Sequence, residues 1–181
     1  MDAIALRQAI ETDAAALGSL HVASWLETYN GIMPSEILAD QSVEARTEMW
    51  CKVLHDPESF NCLSVYVAEY RDHLAGFGSC GRQRDDALAD AGFSSEINAI
   101  YILRAHQNQG VGRRLMDAMS QSLSASGHAS VSLWVLRENA AARKFYESLG
   151  GVVVGEKTDD RQGAPLIEVA YGWQDLRRLL R

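Results

Sequence analysis

The chain has 181 residues, of which 47% are hydrophobic and 23% charged, values typical of one globular domain over residues 1–181. Its formal net charge of −7 argues against nucleic acid as a partner, because such a partner requires a basic surface. The sequence shows no apolar run that could span a bilayer and no secretory signal, so we expect a cytoplasmic protein without a membrane partner.

The first predicted helix carries candidate binding residues. A short strand is predicted over residues 4–7, and the helix that follows it reaches Tyr29. His21, Trp25 and Tyr29 are spaced four residues apart and therefore share one helix face. This face can form a wall of a pocket for an acceptor substrate, or it can pack its aromatic rings into the core.

A second helix and a β-hairpin are predicted next. Ser35 is in position to cap a helix that continues to Trp50. Two strands over residues 63–69 and 74–80 are joined by a short polar connection, which is typical of a hairpin. Residues 82–95 are polar and rich in acidic side chains, so we expect a surface loop there.

The second half of the chain alternates strands and helices. A strand over residues 96–103 leads into a helix over residues 110–126, and the next strand, over residues 131–136, should pair with the first in parallel because a helix connects them. The remaining predictions are a helix over residues 139–149, strands over residues 152–155 and 166–172 with a polar loop over residues 158–163, and a basic tail over residues 175–181.

This order predicts an α/β (α+β) fold. We expect a mixed, mostly antiparallel sheet of about seven strands flanked by helices, in which only the middle of the chain forms a parallel β-α-β unit.

The turn between the central strand and its helix reads Gln107-x-x-Gly110-x-Gly112. Glycines at a helix start let an anion approach the unpaired amides, so the spacing suits phosphate, although it also suits a tight turn without a ligand. A Walker loop is excluded because no Lys-Ser or Lys-Thr follows. A dinucleotide fingerprint requires a third glycine where Leu115 stands, so dinucleotide binding is a minor alternative.

Two segments resemble motifs of the GNAT superfamily of acyl-CoA-dependent N-acetyltransferases. The stretch Gln107-Asn-Gln-Gly110-Val-Gly112 is similar to the superfamily's pyrophosphate-binding signature, and residues 133–150 resemble its second motif. The resemblance implies a GNAT-like fold with the cofactor cleft at its parallel centre. Arg104 and Gly151 depart from the family pattern, which commonly has proline and phenylalanine at these positions.

The resemblance also implies how acetyl-CoA is held as co-substrate. The pantetheine arm would follow the central strand, and the pyrophosphate would lie on the amides of the turn. Arg113 and Arg114 can add charge or belong to a solvated face, and Asn139 can contact the cofactor, cap its own helix, or do both. The implied cofactor-binding residues are Ile100, Tyr101, Ile102, Gln107, Asn108, Gln109, Gly110, Val111, Gly112, Arg113, Asn139 and Tyr146.

Two residues are implied in catalysis. Tyr146 matches the tyrosine that protonates the departing thiolate, although by itself it could be a core aromatic residue. A lysine-like acceptor amine has a pKa of about 10.4, so it arrives protonated and must lose a proton before it can attack. Glu96 matches a position where relatives often carry the base, and it can instead orient the amine. His21 and Glu168 are reserve candidates for the base.

The predicted function is therefore transfer of an acetyl group from acetyl-CoA to a primary amine of a small molecule, peptide or protein, by direct attack in a ternary complex. Trp25, Tyr29 and Glu96 are the predicted acceptor-binding residues. The alternative is a catalytically silent acyl-CoA-binding sensor or interaction module. The cysteines and histidines lack ligand spacing, so we expect no metal. A homodimer through the closing strands is compatible with the sequence.

Overall fold

The computed structural model describes residues 4–161 and 163–180. The two ends of the predicted domain, the last residue of the predicted tail and Gln162 of the predicted polar loop lie outside the described residues. The helices are α1 (Ala14–Tyr29), α2 (Ser35–Ala39), α3 (Val43–His55), α4 (Asp86–Asp90), α5 (Val111–Ala125) and α6 (Ala140–Ser148). The strands are β1 (Ala5–Gln8), β2 (Cys62–Tyr70), β3 (His73–Arg82), β4 (Ser95–Ile102), β5 (Val131–Leu136), β6 (Val152–Arg161) and β7 (Ala164–Trp173).

The strands form one seven-stranded sheet in the order β1-β2-β3-β4-β5-β7-β6. Neighbouring strands are antiparallel except β4 and β5, which α5 connects by a crossover. The predicted fold class, a mixed and mostly antiparallel sheet with a parallel centre, is confirmed. Within the described residues, no helix is long and apolar enough to cross a membrane.

The parallel pair at the centre of the sheet is short. β4 and β5 pair only at Ser95 with Val131 and at Glu96 with Ser132. Two residues later β4 contains a bulge at Asn98, because Cys80 and Ser79 of β3 face Ile97 and Ala99 and leave Asn98 without a β3 partner. Beyond this point β4 and β5 diverge, and we call this divergence the fork.

Helices cover both faces of the sheet. α5 and α6 pack on one face, where Leu115, Met119 and Tyr146 contribute to the largest buried cluster. The helices α1 and α3 cover the other face, against which Leu17, Trp50 and neighbouring residues pack. The fork therefore opens between two helical layers and gives a ligand access to the middle of the sheet.

Three regions differ from the sequence predictions. The predicted second helix is two helices, because Ser42 accepts a hydrogen bond from the amide of Ala45 at 3.1 Å and starts α3 anew. The predicted loop over residues 82–95 contains α4, which Asp85 caps. The closing strands run to Arg161 and from Ala164, so most of the predicted polar loop is β-structure: an edge strand tolerates polar side chains that face water.

Candidate functional site

A cavity of about 480 Å³ occupies the fork between β4 and β5. Its walls combine the diverging strands with the first turn of α5, the first turns of α6 and the end of α1. Because the β4 backbone leaves its β5 partner at Glu96, the groups after this residue face the cavity edge instead of a neighbouring strand. The lining includes Thr28, Tyr29, Asn98, Ile100, Tyr101, Ile102, Gln107, Asn108, Gly110, Gly112, Arg113, Trp134, Asn139, Phe145 and Tyr146.

The glycine turn has a backbone that its sequence explains. Asn108 and Gly110 have φ angles of 58° and 79°, in the left-handed region that asparagine tolerates and glycine favours. At Gly112 the reason is space, since a Cβ atom there would lie 3.1 Å from Cζ of Phe145 and 3.2 Å from Cδ1 of Ile102. The side chain of Gln107 donates to the carbonyl of Ile102 at 3.0 Å and ties the turn to β4.

The start of α5 points its amides toward this turn. The first helical hydrogen bond runs from the amide of Arg114 to the carbonyl of Gly110 at 3.1 Å, so the amides of Val111, Gly112 and Arg113 precede it. Such amides, together with the helix dipole, bind anions. Arg113 lines the cavity, whereas Arg114 donates to the carbonyl of Ile4 at 2.6 Å and anchors the N-terminal segment. Arg113 and Arg114 therefore have different roles.

Asn139 and Tyr146 bring α6 to the cavity. The side chain of Asn139 accepts a hydrogen bond from the amide of Ala142 at 3.2 Å, so it caps α6 while also lining the cavity. Tyr146 is 6% exposed, and its ring packs near Phe145 and Tyr171. Burial, with a smaller contribution from Tyr101, raises the pKa of Tyr146 well above the usual tyrosine range. Tyr146 therefore carries its proton at neutral pH.

A pair of tyrosines forms the wall that faces α1. The hydroxyl oxygens of Tyr29 and Tyr101 are 3.2 Å apart, and both residues line the cavity. Burial raises the pKa of each of these phenols, so both are neutral hydrogen-bonding groups at neutral pH. Trp25 stands behind them: its ring meets Tyr29 edge-on with centroids 4.9 Å apart, and it packs with Met33 in a separate buried cluster. Tyr29 is thus a cavity residue and Trp25 its support.

Glu96 lies just before the bulge and does not line the cavity. Its side chain is 8% exposed, and both of its carboxylate oxygens accept hydrogen bonds from Arg84, at 2.8 Å from Nη2 and 3.0 Å from Nε. This bidentate partner occupies the two oxygens that a base would use. The catalytic role of Glu96 stays a prediction.

The two reserve candidates for the base also have structural partners. Burial, with a smaller effect of Arg46, lowers the pKa of His21 to about 4. Nδ1 of His21 accepts a hydrogen bond from the Trp50 indole at 3.3 Å, and the ring lies among aromatic neighbours that include Phe77. Glu168 is half-buried, which raises its pKa, and it pairs with Arg161 at 3.2 Å. Neither residue is among those that line the cavity.

Of the predicted cofactor residues, the structure brings all but two to the cavity lining. Gln109 instead donates to the carbonyl of Ala105 at 3.0 Å, and the side chain of Val111 is buried in the core, 2% exposed. Either residue can still present its backbone amide.

Sequence reasoning missed four residues around the fork and the turn. Gln83 and Arg84 stand in the segment that was predicted to be a surface loop, and Asn98 forms the bulge. Glu27 of α1 accepts a hydrogen bond from the amide of Arg104 at 2.7 Å, and its carbonyl accepts another from the guanidinium of Arg104. The arginine at position 104, which departs from the family pattern, therefore joins the turn to α1. No local pattern marks any of these residues.

Fold and site together define a class of protein. The sequence matches the Acetyltransferase (GNAT) family over residues 15–151, so the chain belongs to this family of acetyl-CoA-dependent acyltransferases and is a GNAT N-acetyltransferase. It is 30% identical over 177 residues to a Bacillus subtilis (strain 168) protein named "Uncharacterized N-acetyltransferase YuaI", covering 97% of this chain and 96% of the relative.

Solved structures share the fold. The PaiA N-acetyltransferase from Thermoplasma acidophilum, in complex with coenzyme A, aligns with a TM-score of 0.69 at 21% identity and covers 92% of this chain and 98% of its own. The yncA protein from Salmonella typhimurium, with its cofactor acetyl-CoA, aligns with a TM-score of 0.68 at 20% identity and covers 95% of this chain and 94% of its own. These similarities show the same overall fold.

Proposed function

We propose that the chain transfers the acetyl group of acetyl-CoA to a primary amine by direct attack in a ternary complex. The observation that carries this proposal is the composition of the fork cavity. It combines a free backbone edge of β4, the amide end of α5 and the protonated phenol of Tyr146. The strand edge and the helix amides can bind the cofactor, and the phenol can donate a hydrogen bond to the leaving thiolate.

The cofactor fits the residues that are present. The extended backbone of residues 98–102 can pair with the amide groups of the pantetheine arm, as a peptide pairs with a free sheet edge. The amides at the start of α5 and the guanidinium of Arg113 can hold the pyrophosphate. Amides bind an anion without a particular side chain, and the two glycines of the turn leave the approach to these amides open.

Tyr146 is the proposed general acid. A departing thiolate whose acid resembles cysteine has a conjugate pKa of about 8.5, below that of a free phenol at about 10, so complete proton transfer to sulfur is uphill. Burial raises the pKa of Tyr146 and makes this proton transfer still less favourable. The role that this geometry supports best is a hydrogen bond to the sulfur as the C–S bond breaks and negative charge develops, with the phenol proton passing to the leaving thiol. Of the two protons that the acceptor ammonium loses, one restores the phenol and the other goes to solvent.

The acceptor is proposed to enter against the wall of Tyr29 and Tyr101. Their hydroxyl pair provides a donor and an acceptor, while Trp134 provides apolar surface in the same cavity. Nζ of Lys157 lies 4.0 Å from the centroid of the Trp134 ring and holds that ring from outside the lining. The wall can position a primary amine without a fixed charge of its own.

Thiol release from acetyl-CoA tests the proposal. The panel should contain free amino acids, aliphatic diamines, and peptides with either a free α-amine or a lysine side chain. We expect CoA to raise the melting temperature, because a ligand of the folded state at about 100 times its Kd adds about 2.7 kcal/mol. We also expect at least one amine to accelerate thiol release.

The outcomes separate the alternatives. Stabilisation by CoA without turnover for any amine would show a catalytically silent binding module instead of an enzyme. Stabilisation by NAD and not by CoA would contradict the cofactor assignment.

A further inference from the structure

We propose that Arg84 is a positioning residue that holds the fork open, and that Glu96 is its counter-ion instead of a catalytic base. This inference rests on the proposed function, because it concerns the cavity in which acetyl-CoA is proposed to bind. It starts from the bulge of β4. The cavity exists because β4 turns away from β5 after Glu96, so whatever fixes this turn also fixes the position of the lining residues that follow.

Arg84 contacts the bulge residue and the last residue of β4 that pairs with β5 before it. Its guanidinium donates to both carboxylate oxygens of Glu96, the last residue paired with β5, at 2.8 and 3.0 Å. With the Asn98 amide oriented so that both its oxygen and its nitrogen meet suitable partners, Oδ1 of Asn98 accepts from the same guanidinium at 3.2 and 3.3 Å. A planar guanidinium with several fixed donors can span two such acceptors, whereas an ammonium group cannot reproduce the geometry.

The neighbouring residue, Gln83, ties the closed end of the fork. Its side-chain nitrogen donates to the hydroxyl of Ser132 on β5 at 2.6 Å and to the carbonyl of Ser95 on β4 at 3.3 Å. Its side-chain oxygen accepts a hydrogen bond from the backbone amide of Arg84 at 3.1 Å, so the positions of Gln83 and Arg84 are linked. Gln83 thus joins the strands where they still pair, and Arg84 holds β4 where they part.

The position of the carboxylate fits this role better than that of a base. Glu96 is buried and outside the cavity lining, while Asn98, which accepts hydrogen bonds from the same guanidinium of Arg84, is in that lining. In this ion pair only the carboxylate is buried, so removing Arg84 leaves the buried charge of Glu96 unpaired. Disturbance of Arg84 should therefore be transmitted through Asn98 to the strand edge that holds the cofactor.

The test compares Arg84→Gln with the matched control Arg7→Gln. Arg7 also binds a carboxylate through two hydrogen bonds, to Asp13 at 2.7 and 2.9 Å, and the exposures of the two pairs are similar, 37% and 11% against 49% and 8%. Both variants should lose thermal stability. Only Arg84→Gln should weaken CoA binding in calorimetry, by about tenfold, since small displacements of binding groups have effects of this size or larger.

Glu96→Gln separates the counter-ion from the base. As a counter-ion, Glu96 should affect CoA affinity as Arg84 does, and the Arg84→Gln/Glu96→Gln double variant should be no weaker than the worse single variant, because the pair acts as one unit. The pH profile of kcat/KM, measured with the acceptor found in the amine panel, should keep its shape. Loss of turnover with unchanged CoA affinity and a lost pH-dependent limb would overturn the proposal and identify Glu96 as the base.

Arg84→Lys keeps the charge but not the planar arrangement of donors. It is the second test variant if Arg84→Gln does not fold. It should weaken CoA binding by part of the tenfold effect, and wild-type affinity in this variant would contradict a geometric role. The calorimetry uses CoA alone. A chain that acetylates no amine would therefore refute the proposed reaction and leave the Arg84 test intact.

Discussion

The proposed cofactor side and the proposed acceptor side of the cavity are built in different ways. The cofactor side consists of residues 98–102 and the turn from Gln107 to Arg113, which are nearly consecutive and present backbone groups. On the acceptor side, Tyr29, Tyr101 and Trp134 come from α1, β4 and β5 and present side chains. Backbone binding depends on local conformation, whereas a side-chain wall depends on how distant elements pack. The two sides should therefore respond differently to substitution.

Tyr146→Phe should have the largest effect, because the proposed role of the Tyr146 hydroxyl is in the chemistry. The variant keeps the ring, which packs against Phe145 and Tyr171, and removes only the hydroxyl. We expect kcat to fall by about 100-fold or more, the usual range for loss of a general acid, with CoA affinity unchanged. Steady-state kinetics and calorimetry provide the two measurements. Unchanged turnover would remove Tyr146 as the acid and leave it as a core aromatic residue.

Substitutions at Trp25 and Tyr29 should distinguish a residue that supports the acceptor side from one that contacts the acceptor. Trp25 is 6% exposed and packs on Tyr29, so Trp25→Ala should reduce the free energy of unfolding by about 3–5 kcal/mol, as for other large-to-small core changes. Tyr29→Phe keeps the packing and removes the hydroxyl that meets Tyr101. It should raise the acceptor KM and leave the acetyl-CoA KM unchanged. Equal increases in both constants would contradict the division of the cavity into two sides.

The buried ring of His21, next to Tyr101 on the acceptor side, should make the stability of the protein sensitive to acid. Its ring lies 5.4 Å from that of Tyr101, and burial lowers its pKa to about 4, against about 6.5 in an unfolded chain. The unfolded state therefore takes up the proton first, and stability should fall as the pH decreases from about 6.5 to about 4. The shift corresponds to a loss of at most about 3 kcal/mol.

Chemical denaturation at several pH values measures this dependence. His21→Gln should be less stable than the wild type at pH 8 and should show a shallower loss toward pH 4. His55→Gln, at an exposed histidine, is the control and should keep the wild-type slope. If the stability of His21→Gln fell with pH as steeply as that of the wild type, groups other than His21 would cause the acid sensitivity.

The smallest effect is expected in the glycine turn. Gly110 and Gly163 have φ angles of 79° and 80°, and a Cβ at either position would meet no atom within 4 Å. Alanine at each should therefore cost a similar strain, about 1 kcal/mol of stability. Only Gly110 lines the cavity, so only Gly110→Ala should also weaken CoA binding, by several-fold. Equal CoA affinity in both variants would show that the cofactor does not approach the turn at Gly110.

The contrast between the two sides also explains which features could be predicted. Gln107, Gly110 and Gly112 lie within one turn, and their spacing predicts a helix start that binds an anion. Helical and strand periodicity predicted the crossover between β4 and β5 and the places of α5 and α6. These are local properties, because positive φ angles, capping and amphipathic spacing depend on neighbours along the chain.

The extent of the closing hairpin could not be predicted from the local sequence. Polar residues after Gly155 predicted a loop, but pairing with β7 extends β6 to Arg161, which binds Asp159 and Glu168. The family match ends at residue 151, before this hairpin. Periodicity could not reveal the extension, because ion pairs along an edge strand replace the apolar alternation on which such a prediction depends.

By itself, the sequence determined the class of fold, the anion-binding turn and the residues of the second motif, since each is encoded in a contiguous segment. Only the tertiary structure decided that Glu96 is bound by Arg84, that Trp25 stands behind Tyr29 and that Tyr29 meets Tyr101. These contacts join positions 12, 4 and 72 residues apart, and the most distant of them, between Tyr29 and Tyr101, forms the wall itself. Their geometry follows from the bulge in β4 and the packing of α1 on the sheet, which no single segment encodes.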